Sequence, residues 1–226
     1  MSETLTQKIQ NDFDRIALLE EQGKWNHNSH YHSFLLKQLP PDCENVLEIG
    51  CGSGAFSRLL AKRSDRVVAI DLSPEMIEAA KRLSGSYTNI NFQAADIAEW
   101  EFQSEQFDAI VSIATVHHLA LESLLPRLKV ALKPGGKLAI VDLLENESIQ
   151  DILSDVIAVP LNWIFQVLRN RRIGMTQQAA EALREHALTD KYLTLSQAKQ
   201  IYTRFLKGAN VRRHLFWRYS VVWEKL

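Results

Sequence analysis

The sequence predicts an α/β fold, a doubly wound, Rossmann-like sheet that is mostly parallel with helices on both faces. Three observations predict it. Apolar strand segments alternate with helical segments five times over residues 46–142, the pattern of a parallel sheet built from βαβ units. The first strand runs into Gly50, Gly52 and Gly54, and the second ends on Asp71, 21 residues after the first glycine. Residues 210–225 then read as two adjacent strands, an antiparallel hairpin.

Along the chain, Leu5, Ile9, Phe13 and Ile16 recur at helical spacing. Gly23 predicts the end of that helix, and a second runs from about Ser29 to Leu39 before Pro40-Pro41. Val46–Ile49 is the first strand, Ala55–Lys62 the helix after the glycines, and Arg66–Ile70 the second strand. Ser73-Pro74 reads as an N-cap with proline at the first helical position, opening a helix to Leu83. Ile90–Gln93 is a short third strand. Phe107–Ile113 is apolar almost throughout, as a strand covered on both faces should be. Leu121–Leu132 is helical, Lys133–Gly136 a turn and Lys137–Asp142 the fifth strand. Residues 143–192 break the rhythm, with an apolar stretch at 156–168 and a polar helix around Thr176–His186. Thr194 and Gln197 form a capping box for a helix to about Lys207, with Gly208 past its end. In the last strand Trp217, Tyr219, Val221 and Trp223 alternate.

At 226 residues the chain is expected to be one domain. Its parts are an N-terminal helical cap (1–43), a core (44–143), an insertion or lid (144–192), and a helix with edge hairpin (193–226). Two cysteines without CxxC spacing predict a reducing, cytoplasmic setting and no zinc ribbon. The polar N-terminus predicts no signal peptide, and no apolar run reaches the roughly 18 residues a membrane span needs. Net charge is −1, which argues against wholesale polyanion binding, so no nucleic-acid partner is expected. The charge is uneven. Residues 1–168 carry 14 Lys/Arg against 23 Asp/Glu, and residues 169–226 carry 12 against 4. Either the basic third packs on an acidic core, or it forms a rim that draws in an anionic substrate.

The glycine loop asks for a nucleoside ligand. Glycines let backbone approach it closely, and a carboxylate at the end of the second strand can accept both ribose hydroxyls. The spacing is GxGxG rather than GxGxxG, and Glu48 precedes the loop. A carboxylate there would repel a pyrophosphate but suits a cationic amine. S-adenosylmethionine carries that amine and no phosphate.

Four segments then resemble the class I S-adenosylmethionine-dependent methyltransferases, in particular their small-molecule, type 11-like branch. They are Leu47-Glu-Ile-Gly-Cys-Gly-Ser-Gly54, Ala69-Ile-Asp-Leu-Ser-Pro-Glu-Met76, Ala95-Asp96-Ile97, and Phe107–Ala114 with Leu132-Lys-Pro-Gly-Gly-Lys-Leu138. The resemblance covers about residues 44–143. It implies a sheet of seven strands with a C-terminal antiparallel hairpin, S-adenosylmethionine as cofactor and S-adenosylhomocysteine as product. It also implies roles. Gly50, Gly52 and Gly54 would cradle the methionine end, and Glu48 would orient the loop or meet the amine. Asp71 would accept from the ribose, Leu72 and Met76 would flank adenine, Asp96 would accept from the adenine amino group with the Ile97 N–H beside it, and Ala114 would line the methionine side.

For the methyl acceptor, the segment Trp25–His32 offers Tyr31 or Asn28 to close the pocket and His27 as a base. His117, in the pair His117-His118 after the fourth strand, is the preferred general base, because open α/β sheets bind ligands at that edge. A packed histidine is the competing reading. No carboxylate or cysteine has ligand spacing with these histidines, so no metal site is expected. The apolar stretch 156–168 followed by Arg169, Arg171 and Arg172 is expected to be a lid, a subunit contact, or a weak membrane-surface contact. The expected function is methyl transfer to a small organic acceptor with an apolar body or an anionic group, on oxygen or carbon. The alternatives are a non-catalytic binding module, a nicotinamide oxidoreductase, which lacks a Tyr-x-x-x-Lys pair here, and an RNA methyltransferase, which lacks an amino-methylation motif after strand four.

Overall fold

The computed structural model describes residues 4–19, 26–147, 164, 168, 176–188 and 190–226. Its seven strands are β1 (Cys43–Ile49), β2 (Ser64–Asp71), β3 (Ile90–Ala94), β4 (Phe107–Ile113), β5 (Leu132–Leu143), β6 (Asn210–His214) and β7 (Arg218–Glu224). They form one sheet in the order β3-β2-β1-β4-β5-β7-β6. β1 to β5 pair in parallel, and β7 pairs antiparallel with both β5 and β6. The chain reverses strand order between β1 and β4, which opens a crevice at their carboxyl ends.

Period-two alternation builds the two faces. Leu47, Ile49, Val68, Ile70, Ile110, Leu138 and Ile140 share one core with helix residues Leu124, Leu125, Leu128 and Tyr202. Val46, Val67, Ala69, Ala109, Val111, Ala139 and Val141 share the other with Tyr31, Leu35, Phe56, Leu60, Ile77 and Ala80. The branched and aliphatic runs that marked the strands are therefore buried on both sides, as a covered parallel sheet requires.

The helices are α1 (Leu5–Leu19), α2 (His27–His30), α3 (His32–Leu36), α4 (Ser57–Leu60), α5 (Pro74–Leu83), α6 (Leu121–Ala131), α7 (Gln177–Ala187) and α8 (Leu195–Phe205), with a 3-10 turn at Val116–His118. The predicted caps of α5 and α8 form, with Ser73 Oγ accepting from Met76 N–H and Thr194 and Gln197 closing a reciprocal box. The expected helix over 29–39 is instead two short helices that meet at Tyr31. It starts earlier because Asn26 caps it, accepting from the Ser29 N–H at 2.8 Å. The helix after the glycines is shorter than expected, because the loop runs on through Phe56 before the first helical residue.

Trp217 also departs from the expected strand alternation. Tyr219, Val221 and Trp223 are buried in the core, but Trp217 and Phe216 form the β6–β7 turn with φ of 55° and 56°. Positive φ at bulky residues persists only when the surroundings over-determine it. Here the Tyr31 hydroxyl donates to the Leu215 carbonyl, Arg218 donates to the Phe216 and Trp217 carbonyls, and the Leu144 N–H donates to Trp217 O. No helix among the described residues is long and apolar enough to cross a membrane. The Gly23 stop, most of the 156–168 stretch, and Arg169, Arg171 and Arg172 lie outside the described residues.

Candidate active site

The crevice begins at the glycine loop. Gly50, Gly52 and Gly54 all take positive φ, at 75°, 49° and 77°. Gly50 is packed: a Cβ there would come within 1.9 Å of Thr115 Oγ1. Gly52 is open, with nothing within 4 Å of where a Cβ would stand. The loop thus pins its first glycine against the residue after Ala114 and offers its second glycine to a ligand. Ala114 follows β4 with φ 51°, its N–H donating to Val141 O at 2.8 Å. An alanine held in the left-handed region is an outlier of the kind that clusters at ligand sites.

Asp71 ends β2 beside the loop. One carboxylate oxygen accepts from the Gly52 N–H at 2.8 Å, the other from the Ser73 N–H at 3.0 Å. Each oxygen keeps a lone pair for a hydroxyl donor. Burial raises its pKa, against the two N–H groups that favour the charge. Glu48 is buried on β1 and accepts from Ser57 Oγ of α4, so it ties strand to helix across the loop. Burial pushes its carboxyl up to about 8, with Asp71 adding to the rise.

Beyond Asp71, Leu72 is half-buried and Met76 buried. Met76 packs with Ile16 of α1 and Ala182 of α7, so both helices cover this end of the crevice. Ser73 Oγ donates to Asp14, and Arg15 pairs with Glu185 at 2.6 Å, docking α1 on α5 and α7. Asp96 caps a turn by accepting from the Ala98 N–H at 2.8 Å, and Ile97 is buried in the core.

The N-terminal candidates lie against the β6–β7 turn. His27 stacks on Phe216, centroids 5.1 Å apart and planes within 8°. Tyr31 is buried, its hydroxyl engaged by Leu215 and its pKa raised by burial to about 12. Asn28 accepts from Arg218 Nη2 at 2.9 Å.

His117 sits in a cluster that its sequence surroundings do not announce. Its Nδ1 lies 2.7 Å from Asp142 at the end of β5, and its Nε2 lies 3.7 Å from Asp190. Burial alone would lower its pKa, but the two carboxylates outweigh burial and raise it to about 9. Adjacent His118 is lowered to about 4 by burial and by His117. Asp190 is lowered despite its burial, by the neighbouring histidines and the hydrogen bond from the Tyr192 hydroxyl. Arg218 is buried next to this group, its charge felt by Tyr31 and Tyr192. Asp142, Asp190 and Arg218 were not singled out from the sequence, and His118 was named only as the neighbour of His117. Asp142 carried a usable signal, a carboxylate ending an apolar strand as Asp71 does. An open cleft of about 520 Å³ lies beside the cluster, lined by Glu145, Asp190, Tyr192 and Leu193 among others.

A family model for a methyltransferase domain matches residues 46–136. An uncharacterized methyltransferase of Mycobacterium tuberculosis is 31% identical over 205 residues, which span 88% of this chain and 96% of that one. The ubiquinone biosynthesis O-methyltransferase of Coxiella burnetii is 31% identical over 107 residues, 46% of each chain. Among solved structures, the N-methyltransferase NodS of Bradyrhizobium japonicum, in complex with S-adenosylhomocysteine, superposes with a TM-score of 0.66 at 18% identity. That match covers 96% of this chain and 98% of that one.

Proposed function

Since the chain belongs to the S-adenosylmethionine-dependent methyltransferases, we propose that it methylates a small organic acceptor, on oxygen or carbon, at the carboxyl end of β1 and β4. The observation that carries this reading is the juxtaposition of two unlike surfaces. The loop of Gly50 to Gly54 closes on Asp71 through the Gly52 N–H. On the far side of β4, His117 meets Asp142 at the end of β5.

The crevice fits the cofactor. Gly52 offers open space at a backbone that an L side chain would strain, and Asp71 retains acceptor capacity. In our reading Gly50, Gly52 and Gly54 cradle the methionine end, Asp71 accepts from the ribose, Leu72 and Met76 flank adenine, Asp96 with Ile97 meets the adenine edge, and Ala114 lines the methionine. Glu48 orients the loop through its hydrogen bond from Ser57. When bound, S-adenosylmethionine supplies a methyl group on a sulfonium that leaves readily.

The protein's task is then placement, which can account for roughly 7–11 kcal/mol of a barrier. The His117 cluster forms the polar end of the acceptor site, and His117 meets the acceptor's ionisable atom. Arg218, buried and bound to Asn28 and two backbone carbonyls, holds an anionic group on the acceptor. His27 is the alternative base, and Tyr31 closes the pocket by holding the β6–β7 turn. The O-methyltransferase among the relatives supports oxygen as the methylated atom. Both cysteines are free and buried, in keeping with a cytoplasmic enzyme. Incubating the protein with S-adenosylmethionine and small phenols, enols and carboxylic acids, and following mass gain by one methyl group, tests the proposal. Gain on nucleic acid alone would overturn it.

A further inference from the structure

The cluster around His117 has the layout of a metal centre. His117 and His118 lie on the 3-10 turn after β4, and Asp190 lies 72 residues further on, after α7. His117 Nε2 is 3.7 Å from Asp190 Oδ2, and His118 Nδ1 is 3.6 Å from Asp190 Oδ1. One ligand atom from each of the three lies within 4.8 Å of the others. These gaps are too long for hydrogen bonds. They are close to the separation of neighbouring ligands around zinc, roughly 3.4 Å when each stands about 2.0–2.1 Å from the ion in a tetrahedron.

The surroundings support the same reading. Metal-bound histidines usually give their second ring nitrogen to a carboxylate, and bound carboxylates are themselves hydrogen-bonded. His117 Nδ1 has Asp142 at 2.7 Å, and Asp190 Oδ2 accepts from the Tyr192 hydroxyl at 2.9 Å. His186 repeats the pattern at the rim, with Nδ1 3.1 Å from Asp12 of α1 and Nε2 3.6 Å from Asp190. The side chains of His117, His118 and Asp190 are each at least nine-tenths buried. Burying three imidazoles and two carboxylates costs stability unless each is paired, and one cation satisfies several at once.

We propose that His117, His118 and Asp190 bind a divalent transition-metal ion, with His186 at the rim of the site. The imidazole-rich set selects an ion of the zinc or iron(II) kind over magnesium or calcium, which take oxygen ligands. Three protein donors leave a coordination position open, as in catalytic rather than structural sites. With the ion in place, His117 would act on the acceptor's oxygen through the metal. That role alone rests on the acceptor reading above; the binding site does not.

Cobalt(II) serves as the probe, added to chelator-stripped protein while its visible ligand-field absorption is followed. The expected result is one equivalent bound per chain, displaced by zinc and not by excess magnesium. Asp190→Asn keeps the shape and should weaken binding at least tenfold, as should His118→Ala. His32→Ala, in the separate histidine-rich segment, should leave binding unchanged. Thermal melting without metal separates misfolding from lost ligation. Absent cobalt absorption, or absorption untouched by Asp190→Asn in a folded protein, overturns the site and leaves the transferase reading intact.

Discussion

The Asp71 carboxylate accepts a hydrogen bond from the Gly52 backbone N–H at 2.8 Å. One side chain thereby sets the conformation of the loop and, in the proposed reading, accepts from the ribose. Asp71→Ala should remove both, weakening S-adenosylhomocysteine binding by about 1.5–3 kcal/mol, the range for hydrogen bonds to a charged group. Calorimetric titration measures it, and a variant that binds normally would show that the ribose lies elsewhere.

The two ends of the loop should fail differently. Gly50→Ala drives a Cβ into Thr115 at φ 75° and should destabilise the fold by well over 1 kcal/mol. Gly52→Ala meets no atom within 4 Å, so its cost should be only the left-handed backbone, about 1–2 kcal/mol. Its larger effect should be on cofactor affinity. Melting curves and titrations of both variants decide this, and equal losses of stability would refute the packed-and-open distinction.

Glu48 predicts a pH dependence. Its folded pKa is raised to about 8, above the usual range near 4.3. The folded state then holds a proton that the unfolded state has lost, so this group's contribution to stability falls as pH rises through that window. The slope is at most about 1.4 kcal/mol per pH unit. Relative to Glu48→Gln, the wild-type protein should lose stability between pH 5 and 8 in the absence of cofactor. Denaturant titrations across that range give the slopes, and parallel curves would mean that Glu48 is ionised in the fold.

His117→Ala should lower turnover by about 10²–10⁴ with cofactor affinity nearly unchanged. If neither it nor His27→Ala slows transfer beyond about threefold, placement alone accounts for the rate. Loss of cofactor binding would move that histidine into the cofactor pocket.

The sheet and its glycine loop were legible because they rest on local signals. Apolar runs bounded by turn residues gave the strands, and Ser73-Pro74 and Thr194 with Gln197 gave caps that form as read. The His117 cluster was less legible because its parts converge only in three dimensions. Asp142 and Asp190 reach His117 from 25 and 73 positions away, and a sequence scan for ligand spacing does not register such distances. The Phe216-Trp217 turn escaped for another reason. Its residues carry no turn chemistry, and tertiary contacts from Tyr31 and Arg218 impose the positive φ.

Transfer of an isotopically labelled methyl group tests the central claim most directly. The protein is incubated with labelled S-adenosylmethionine and a cell extract, which is then separated into small molecules, RNA and protein. The account predicts label in a small organic molecule, lost when Asp71 is replaced by alanine. Label confined to RNA or protein, or no transfer by a protein that binds the cofactor, would contradict it.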